Sequence, residues 1–187
     1  MGKDLGKAFP LPVARYWTVW GARKRPSPSD LLEAIESGDL ELVERLLKMG
    51  ADIRGAPFLE DPAACAVRKG HLSILELLIR HGADPRYGDD YLFCDAVGWD
   101  HRAILKLLAA TVFSPDLWRG KTLLDIQKEA ELIYQHILQI SMIEEPDPSL
   151  QFARFELVDA AMTCWERVRP DPPKLKISDV PPKPRPL

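Results

Sequence analysis

The feature that most constrains the fold of this chain is a segment that recurs at a nearly constant spacing. A small residue and two glycines recur 32 residues later, in the pairs Ala34 and Ala66, Gly38 and Gly70, and Gly50 and Gly82. A third copy begins near Ala96. Self-similarity at a fixed period is typical of repeat proteins, in which each unit packs mainly against its neighbours. The sequence therefore predicts a stack of similar units.

Each unit has the pattern of a helix, a turn and a second helix. Asp61-Pro62 supplies a capping side chain and a proline suited to the first helical position. Gly70 then interrupts the helix, and a second helix follows with apolar residues at 72, 74, 75, 77 and 78 on one stripe. Gly82 stands where a left-handed helix end is expected. One such pair cannot bury its own apolar face, so neighbouring pairs must stack.

These units resemble ankyrin repeats. The resemblance rests on small residues in the first helix, Gly70-His71 at the turn, the apolar second helix, and Gly82-Ala83-Asp84 after it. It covers residues 30–139 and implies an all-α fold, a short ankyrin-type solenoid of stacked helix-turn-helix repeats. It also implies that His71 and the equivalent His101 serve the turns.

We expect four repeats, at residues 30–54, 55–86, 87–111 and 112–139. The fourth lacks the Gly-His turn, and we expect its outer helix to consist of Leu132, Ile133, Ile137 and Leu138. The link from Asp84 to Tyr91 is shorter than the finger loop usual in ankyrin repeats, and the link from Thr111 to Gly120 is longer. Both links alter the row of fingers that faces a partner in this family.

Three segments flank the repeats. Residues 1–29 form an N-terminal extension with four large aromatic residues, which we expect to pack on the first repeat. Residues 140–168 hold a C-terminal capping helix, because 149–168 carry one apolar stripe. Residues 169–187 are a proline-rich tail, and Val180–Pro186 within it resembles a ligand of SH3-type domains.

Charge and composition exclude several classes of function. The net charge is −3, but residues 1–30 carry +4 and residues 170–187 carry +2, so the body between them carries −9. An acidic body disfavours nucleic-acid binding, which needs clustered basic side chains. No run of eighteen apolar residues is present, so we expect no membrane span. Three cysteines without a secretory segment predict reduced thiols in a cytoplasmic or nuclear protein.

The sequence lacks the motifs of catalytic and metal sites. No His/Cys pair has the spacing of a zinc site, and no glycine-rich phosphate loop or nucleophile motif is present. We therefore expect no metal, no cofactor and no catalytic residue.

The resemblance places the partner-binding residues on the concave side, before each turn and in the fingers. They are Glu36 and Ser37 in the first repeat, Phe58, Glu60, Arg68 and Lys69 in the second, and Arg86, Tyr87, Asp90 and Trp99 in the third. Trp99 has two interpretations of equal weight. It is either an exposed interface residue or a residue buried against the 112–120 link or the N-terminal aromatics.

The sequence thus favours a protein–protein interaction module, an adaptor or inhibitor that binds another protein through its concave face. One alternative is an enzyme on a repurposed repeat scaffold, with a pocket between the N-terminal extension and the repeats. Another is a structural subunit of a larger complex, in which the end helices make the contacts.

Overall fold

A computed structural model describes residues 25–54, 60–141 and 147–170, without the side chains of Tyr87 and Asp89. These residues form nine helices and no strands. The helices are α1 (Pro28–Glu36), α2 (Leu40–Lys48), α3 (Pro62–Arg68), α4 (Leu72–Arg80), α5 (Tyr87–Gly98), α6 (Arg102–Val112), α7 (Pro115–Trp118), α8 (Leu123–Ile140) and α9 (Pro148–Val168).

The helices stack in two rows. The first helix of each pair packs on the next, so that α1, α3, α5 and α8 form an inner row. The second helices, α2, α4, α6 and α9, form an outer row, and each also contacts its own inner helix. The predicted all-α repeat solenoid is therefore confirmed.

Short polar residues set where the helices begin. Ser27 and Asp30 form a capping box at α1, in which the backbone N–H of Ser27 donates to Oδ2 of Asp30 at 2.8 Å. Asp61 caps α3 as predicted, accepting from the backbone N–H of Ala63 at 2.8 Å, and Pro62 follows it. These local hydrogen bonds satisfy helix N–H groups that would otherwise lack partners.

The inner turns are joined to the following repeat by histidine side chains. Gly38 and Gly70 have φ of 72° and 73°, a left-handed conformation that favours glycine. A β-carbon at position 70 would lie 2.8 Å from Cε1 of His101, and one at position 38 would lie 2.9 Å from Cε1 of His71. Each imidazole ring therefore fills the space that the preceding turn glycine leaves open.

The core lies between the two rows. Small residues at equivalent inner positions, Ala34, Ala66 and Ala96, are buried and let the helices approach closely. The outer helices contribute larger side chains that are at most 2% exposed, namely Leu46, Leu75, Leu78, Leu105 and Leu108. Each such burial stabilises the stack by roughly 1.5–3 kcal/mol before the loss of chain entropy is counted.

The fourth pair differs from the prediction. Residues 123–140 form one uninterrupted helix, so Leu132, Ile133, Ile137 and Leu138 do not make an outer helix. They belong to inner helix α8, and the outer partner is α9, which packs on both α6 and α8. No glycine or proline interrupts residues 123–140, and Ile126, Ala130, Ile133 and Ile137 make a continuous buried stripe.

The long link before α8 is ordered by two aromatic residues. The indole N–H of Trp118 donates to the carbonyl oxygen of Val112 at 2.8 Å, and its ring stacks on Phe113 with centroids 5.8 Å apart. Phe113 is buried and Trp118 is partly buried. This contact anchors the four-residue α7, so Trp118 has a structural role here.

The predicted C-terminal helix is present and carries its buried stripe of Leu150, Ala153, Leu157, Ala161 and Cys164. No helix among the described residues is long and apolar enough to cross a membrane. The predicted N-terminal extension, apart from residues 25–29, lies outside the described residues, as does the tail after Pro170.

The histidine contact predicts that Gly70→Ala will destabilise the protein by about 2 kcal/mol, because the new side chain needs a left-handed backbone and meets the His101 ring. Gly98→Ala is the matched control, since position 98 is helical and nothing lies within 4 Å of its added β-carbon. We expect that control to be neutral or stabilising by up to about 1 kcal/mol. Urea unfolding measures both, and equal effects would contradict the contact.

Candidate protein-binding surface

The ends of the inner helices form a continuous exposed row. Glu36 and Ser37 close α1, Arg68 and Lys69 close α3, and Gly98 and Trp99 close α5. All six residues are exposed, and their helices pack side by side. We call these six residues the turn row. The structure thus brings five of the predicted partner-binding residues onto one surface.

Histidine contacts hold the turn row in register. Nε2 of His101 lies 3.3 Å from the carbonyl oxygen of Arg68, so the second turn is tied to the third repeat. Asp100 takes the left-handed position in the third turn, with φ of 51°, and accepts from Nε of Arg102 at 3.0 Å. A carboxylate side chain tolerates this backbone better than most residues do. The row therefore sits on a supported backbone.

Trp99 is the largest apolar side chain on the turn row. Its exposed fraction is 60%, so it is not buried against the 112–120 link, while the N-terminal aromatics lie outside the described residues. Exposing an indole to water forgoes the burial that large aromatics usually obtain. Tryptophan is also among the residues that dominate the energetics of protein interfaces.

Carboxylates surround the arginine in the middle of the row. Arg68 forms an ion pair with Glu60, and both side chains are partly exposed. Asp95, on α5, has an Oδ2 atom that is buried without a hydrogen-bond partner. Burial raises the pKa of Asp95, the charge of Glu60 adds to the increase, and Arg68 opposes it.

Burial, helped by the same carboxylates, keeps Cys65 protonated. Burial raises the pKa of the Cys65 thiol to about 11, and the charges of Glu60 and Glu36 add to the increase. A thiol with so high a pKa is a poor nucleophile at neutral pH. Cys65 therefore acts as a small core residue behind the turn row.

Asp95 was missed in the sequence, although a signal for it exists. It precedes Trp99 by four residues on α5, and residues at this spacing lie on the same face of a helix. Its proximity to Arg68 and Glu60 depends on the packing of α3 against α5, which no local pattern reveals.

The prediction that Asp90 faces a partner is wrong. Its side chain is 0% exposed. Arg86 donates from Nε to Oδ1 of Asp90 at 2.8 Å, and Nδ1 of His136 lies 2.8 Å from Oδ2. Arg86 also pairs with Glu129, so its guanidinium is engaged on both sides. The hydrogen bond to Asp90 is the main cause of the raised pKa of Arg86.

The shortened link explains this arrangement. Gly88 and Asp90 both have φ of 66°, so the first turn of α5 is irregular and directs the Asp90 carboxylate inward. The ion pair between Arg86 and Glu129 and the hydrogen bond between His136 and Asp90 then join this turn to α8, more than forty residues along the chain. Asp90 is therefore a structural residue, whereas the Arg86 side chain pairs with Asp90 and Glu129 and stays 38% exposed. Of the other predicted finger residues, Glu60 is partly exposed, whereas Phe58 and the side chain of Tyr87 lie outside the described residues.

Within the described part of the chain, no three His, Cys, Asp or Glu side chains cluster as metal ligands would. Cys65, Cys94 and Cys164 are unpaired and buried. Burial raises the pKa of Cys94 to about 12, with Asp90 and Asp95 adding to the increase.

Comparison with known proteins agrees with the repeat pattern. Residues 31–117 match a family model described as ankyrin repeats in three copies. The chain is also similar to the 2-5A-dependent ribonucleases of Mus musculus and Homo sapiens, at 40% identity over 62 and 60 residues. These matches cover 30% and 29% of this chain but only 8% of each relative.

The buried carboxylate of Asp90, which contacts Arg86 and His136, predicts a large cost for Asp90→Ala. Removing the carboxylate leaves Arg86 and His136 without a shared partner, and we expect a loss of about 2 kcal/mol in the free energy of unfolding. Asp116→Ala is the control, because Asp116 pairs with Arg119 where both side chains are more than 80% exposed. That change should cost less than about 0.5 kcal/mol. Equal effects would mean that the Asp90 cluster is not part of the folded state.

The raised pKa of Asp95 predicts a stability change of known sign. If the pKa of an acid is higher in the folded state than in the unfolded state, the protein loses stability as the pH rises from the unfolded-state pKa to the folded-state pKa. Asp95→Asn should therefore raise the Tm at pH 7, and the difference from wild type should shrink towards pH 3.

Asp125→Asn provides a control of opposite sign. Hydrogen bonds from Thr122 hold the pKa of Asp125 below its ordinary value. Asp125→Asn should therefore lower the Tm at pH 7, and that difference should also narrow in acid. If Asp95→Asn lowered the Tm at pH 7, attraction to Arg68 would outweigh burial at this site.

Proposed function

Because residues 31–117 are ankyrin repeats, which are generally protein-interaction modules, we propose that this chain binds a partner protein along the turn row, on the concave face of the stack. The observation that carries the proposal is the 60% exposure of Trp99 at the end of α5. Binding would bury this indole and recover its hydrophobic free energy.

The composition of the turn row supports a mixed apolar and polar contact. Trp99 offers the apolar anchor, Arg68 and Lys69 offer donors, and Glu36 offers an acceptor. Interfaces commonly combine an aromatic or arginine anchor with a polar rim. The chain would then act as an adaptor or an inhibitor, according to whether the bound partner keeps its own activity.

The buried, unpaired cysteines support the further proposal of a cytoplasmic or nuclear setting, where thiols stay reduced. The enzyme alternative relied on a pocket beside the N-terminal extension, and that region lies outside the described residues.

A second hypothesis is a structural subunit of a larger complex. The observation that favours it is the outward face of α9, where Phe155, Val158 and Met162 are exposed. Such a subunit would bind through its end helices and would not need Trp99. The two hypotheses therefore differ in which substitutions abolish partner binding.

Site-specific photocrosslinking in cells separates them. A photoreactive phenylalanine analogue replaces Trp99 in one variant and Leu117 in another, since Leu117 is 68% exposed but lies away from the turn row. We expect a defined adduct from position 99 and none from position 117. A third variant carries the analogue at position 155. Adducts from position 155 and none from position 99 would favour the structural subunit.

Once the partner is identified, its affinity gives the quantitative test. A Trp99→Ala, Arg68→Ala double variant should bind at least about 100-fold more weakly, because each residue is expected to contribute 1.4 kcal/mol or more. Leu117→Ala should bind within about twofold of wild type. If the double variant bound with unchanged affinity, the turn row would not be the binding surface.

A further inference from the structure

The last helix pair has an apolar outer face. Helices α8 and α9 pack on α5 and α6, and among the described residues no further helix pair packs on their other side. An open groove with a volume of about 180 Å³ runs between α8 and α9. We call the outward-facing residues around this groove the end face, namely Leu124, Glu131, Arg154, Phe155, Val158 and Met162.

Large apolar side chains are exposed on the end face. On α9, Phe155 is 64% exposed, Val158 is 51% exposed and Met162 is 38% exposed, and their spacing of three and four residues puts them on one side of the helix. Leu124 of α8 is 57% exposed. The terminal unit of a repeat stack usually has a polar outer face, because an apolar one lets molecules associate. The end face therefore has the composition of an interface.

The charges of the end face are complementary to each other. Glu131 of α8 and Arg154 of α9 are both exposed and line the groove from its two sides. Such a surface matches itself when a two-fold axis runs along the groove, because the axis places α8 of each copy over α9 of the other. The acidic side of one copy then faces the basic side of the second copy, so charge complementarity favours a second copy of this chain as the occupant.

The packing of α8 against α9 sets which apolar residues would meet. The two helices are antiparallel, since only residues 141–147 join them, and the Arg154 guanidinium lies 5.3 Å from the centre of the Tyr134 ring. Met162 is eight residues after Arg154 on α9, and position 126 is eight residues before Tyr134 on α8. Met162 and Leu124 therefore lie at nearly the same height along the groove. A two-fold axis along the groove keeps this height and brings Met162 of one copy to Leu124 of the other.

The area of the end face is sufficient for a weak dimer. Helix α8 has 18 residues, which makes it about 27 Å long, and paired helices lie roughly 10 Å apart. The two helices together thus present roughly 500 Å² per copy, or about 1,000 Å² in a dimer. This is near the lower limit for a specific interface, so we expect a dissociation constant of roughly 10 μM.

We propose that the end face binds the end face of a second copy of this chain, in a symmetric dimer whose two-fold axis runs along the groove between α8 and α9. Arg154 of each copy pairs with Glu131 of the other, and Met162 packs against Leu124 across the interface. The turn row stays free, so the dimer does not depend on the proposed partner binding. It presents two turn rows, so it can hold two copies of a partner.

Sedimentation equilibrium of the full chain, from about 1 to 200 μM, tests dimer formation and gives its dissociation constant. Met162→Arg should weaken the dimer at least about tenfold, because it buries an unpaired charge in the apolar contact. Leu72→Arg is the matched control, since Leu72 is 37% exposed but lies on α4 in the second helix pair. That control should leave the dissociation constant within about twofold of wild type.

Charge reversal tests the two-fold arrangement. Arg154→Glu alone and Glu131→Arg alone should each weaken the dimer at least about tenfold, because each puts like charges together across the interface. The Arg154→Glu, Glu131→Arg double variant should recover wild-type affinity to within about threefold, because exchanging the two signs restores both ion pairs. Both positions are exposed, so we expect all three variants to fold, which circular dichroism verifies.

Three results would overturn the proposal. A wild-type chain that stays monomeric up to about 200 μM would mean that another part of the chain, or a different protein, covers the end face. A dimer that persists unchanged in Met162→Arg would place the interface elsewhere on the molecule. A double charge reversal that remains as weak as the single variants would contradict pairing between Arg154 and Glu131.

Discussion

The contact on which the rest of the structure depends is the imidazole ring of each repeat against the left-handed turn of the repeat before it. His71 meets the turn at Gly38, and His101 meets the turn at Gly70. Because the ring occupies the space where a β-carbon would stand, the contact admits little displacement. It therefore sets the spacing of successive inner helices and places their exposed ends in one row.

The residues predicted to bind a partner fall into two groups. Some lie exposed on the turn row, and others contact Glu129 and His136 of α8. Arg68, Lys69 and Trp99 are exposed. They lie at the C-terminal ends of α3 and α5, beyond the residues that these helices pack against their neighbours. Asp90 is buried next to His136, and the partly exposed Arg86 pairs with both Asp90 and Glu129 at the short link before α5. The loss of a finger loop is thus coupled to a firmer attachment of the last pair.

The sequence predicts the parts of this fold that depend on local signals. Asp61-Pro62 and Gly70-His71 mark where helices begin and end, and the stripe at 149–168 marks α9. The single helix α8, the burial of Asp90 and the environment of Asp95 could not be predicted, because each depends on contacts with a distant helix. A missing Gly-His turn in residues 123–140 could have indicated one long helix.

The central claim is that four helix pairs form one continuous stack, with α8 and α9 as its last pair. Hydrogen exchange of the full chain, measured helix by helix, tests it most directly. If the claim holds, α3, α5 and α8 will be strongly protected with similar opening free energies, and α1 and α9 at the ends will be less protected. Rapid exchange of α8 beside a protected α5 would contradict it.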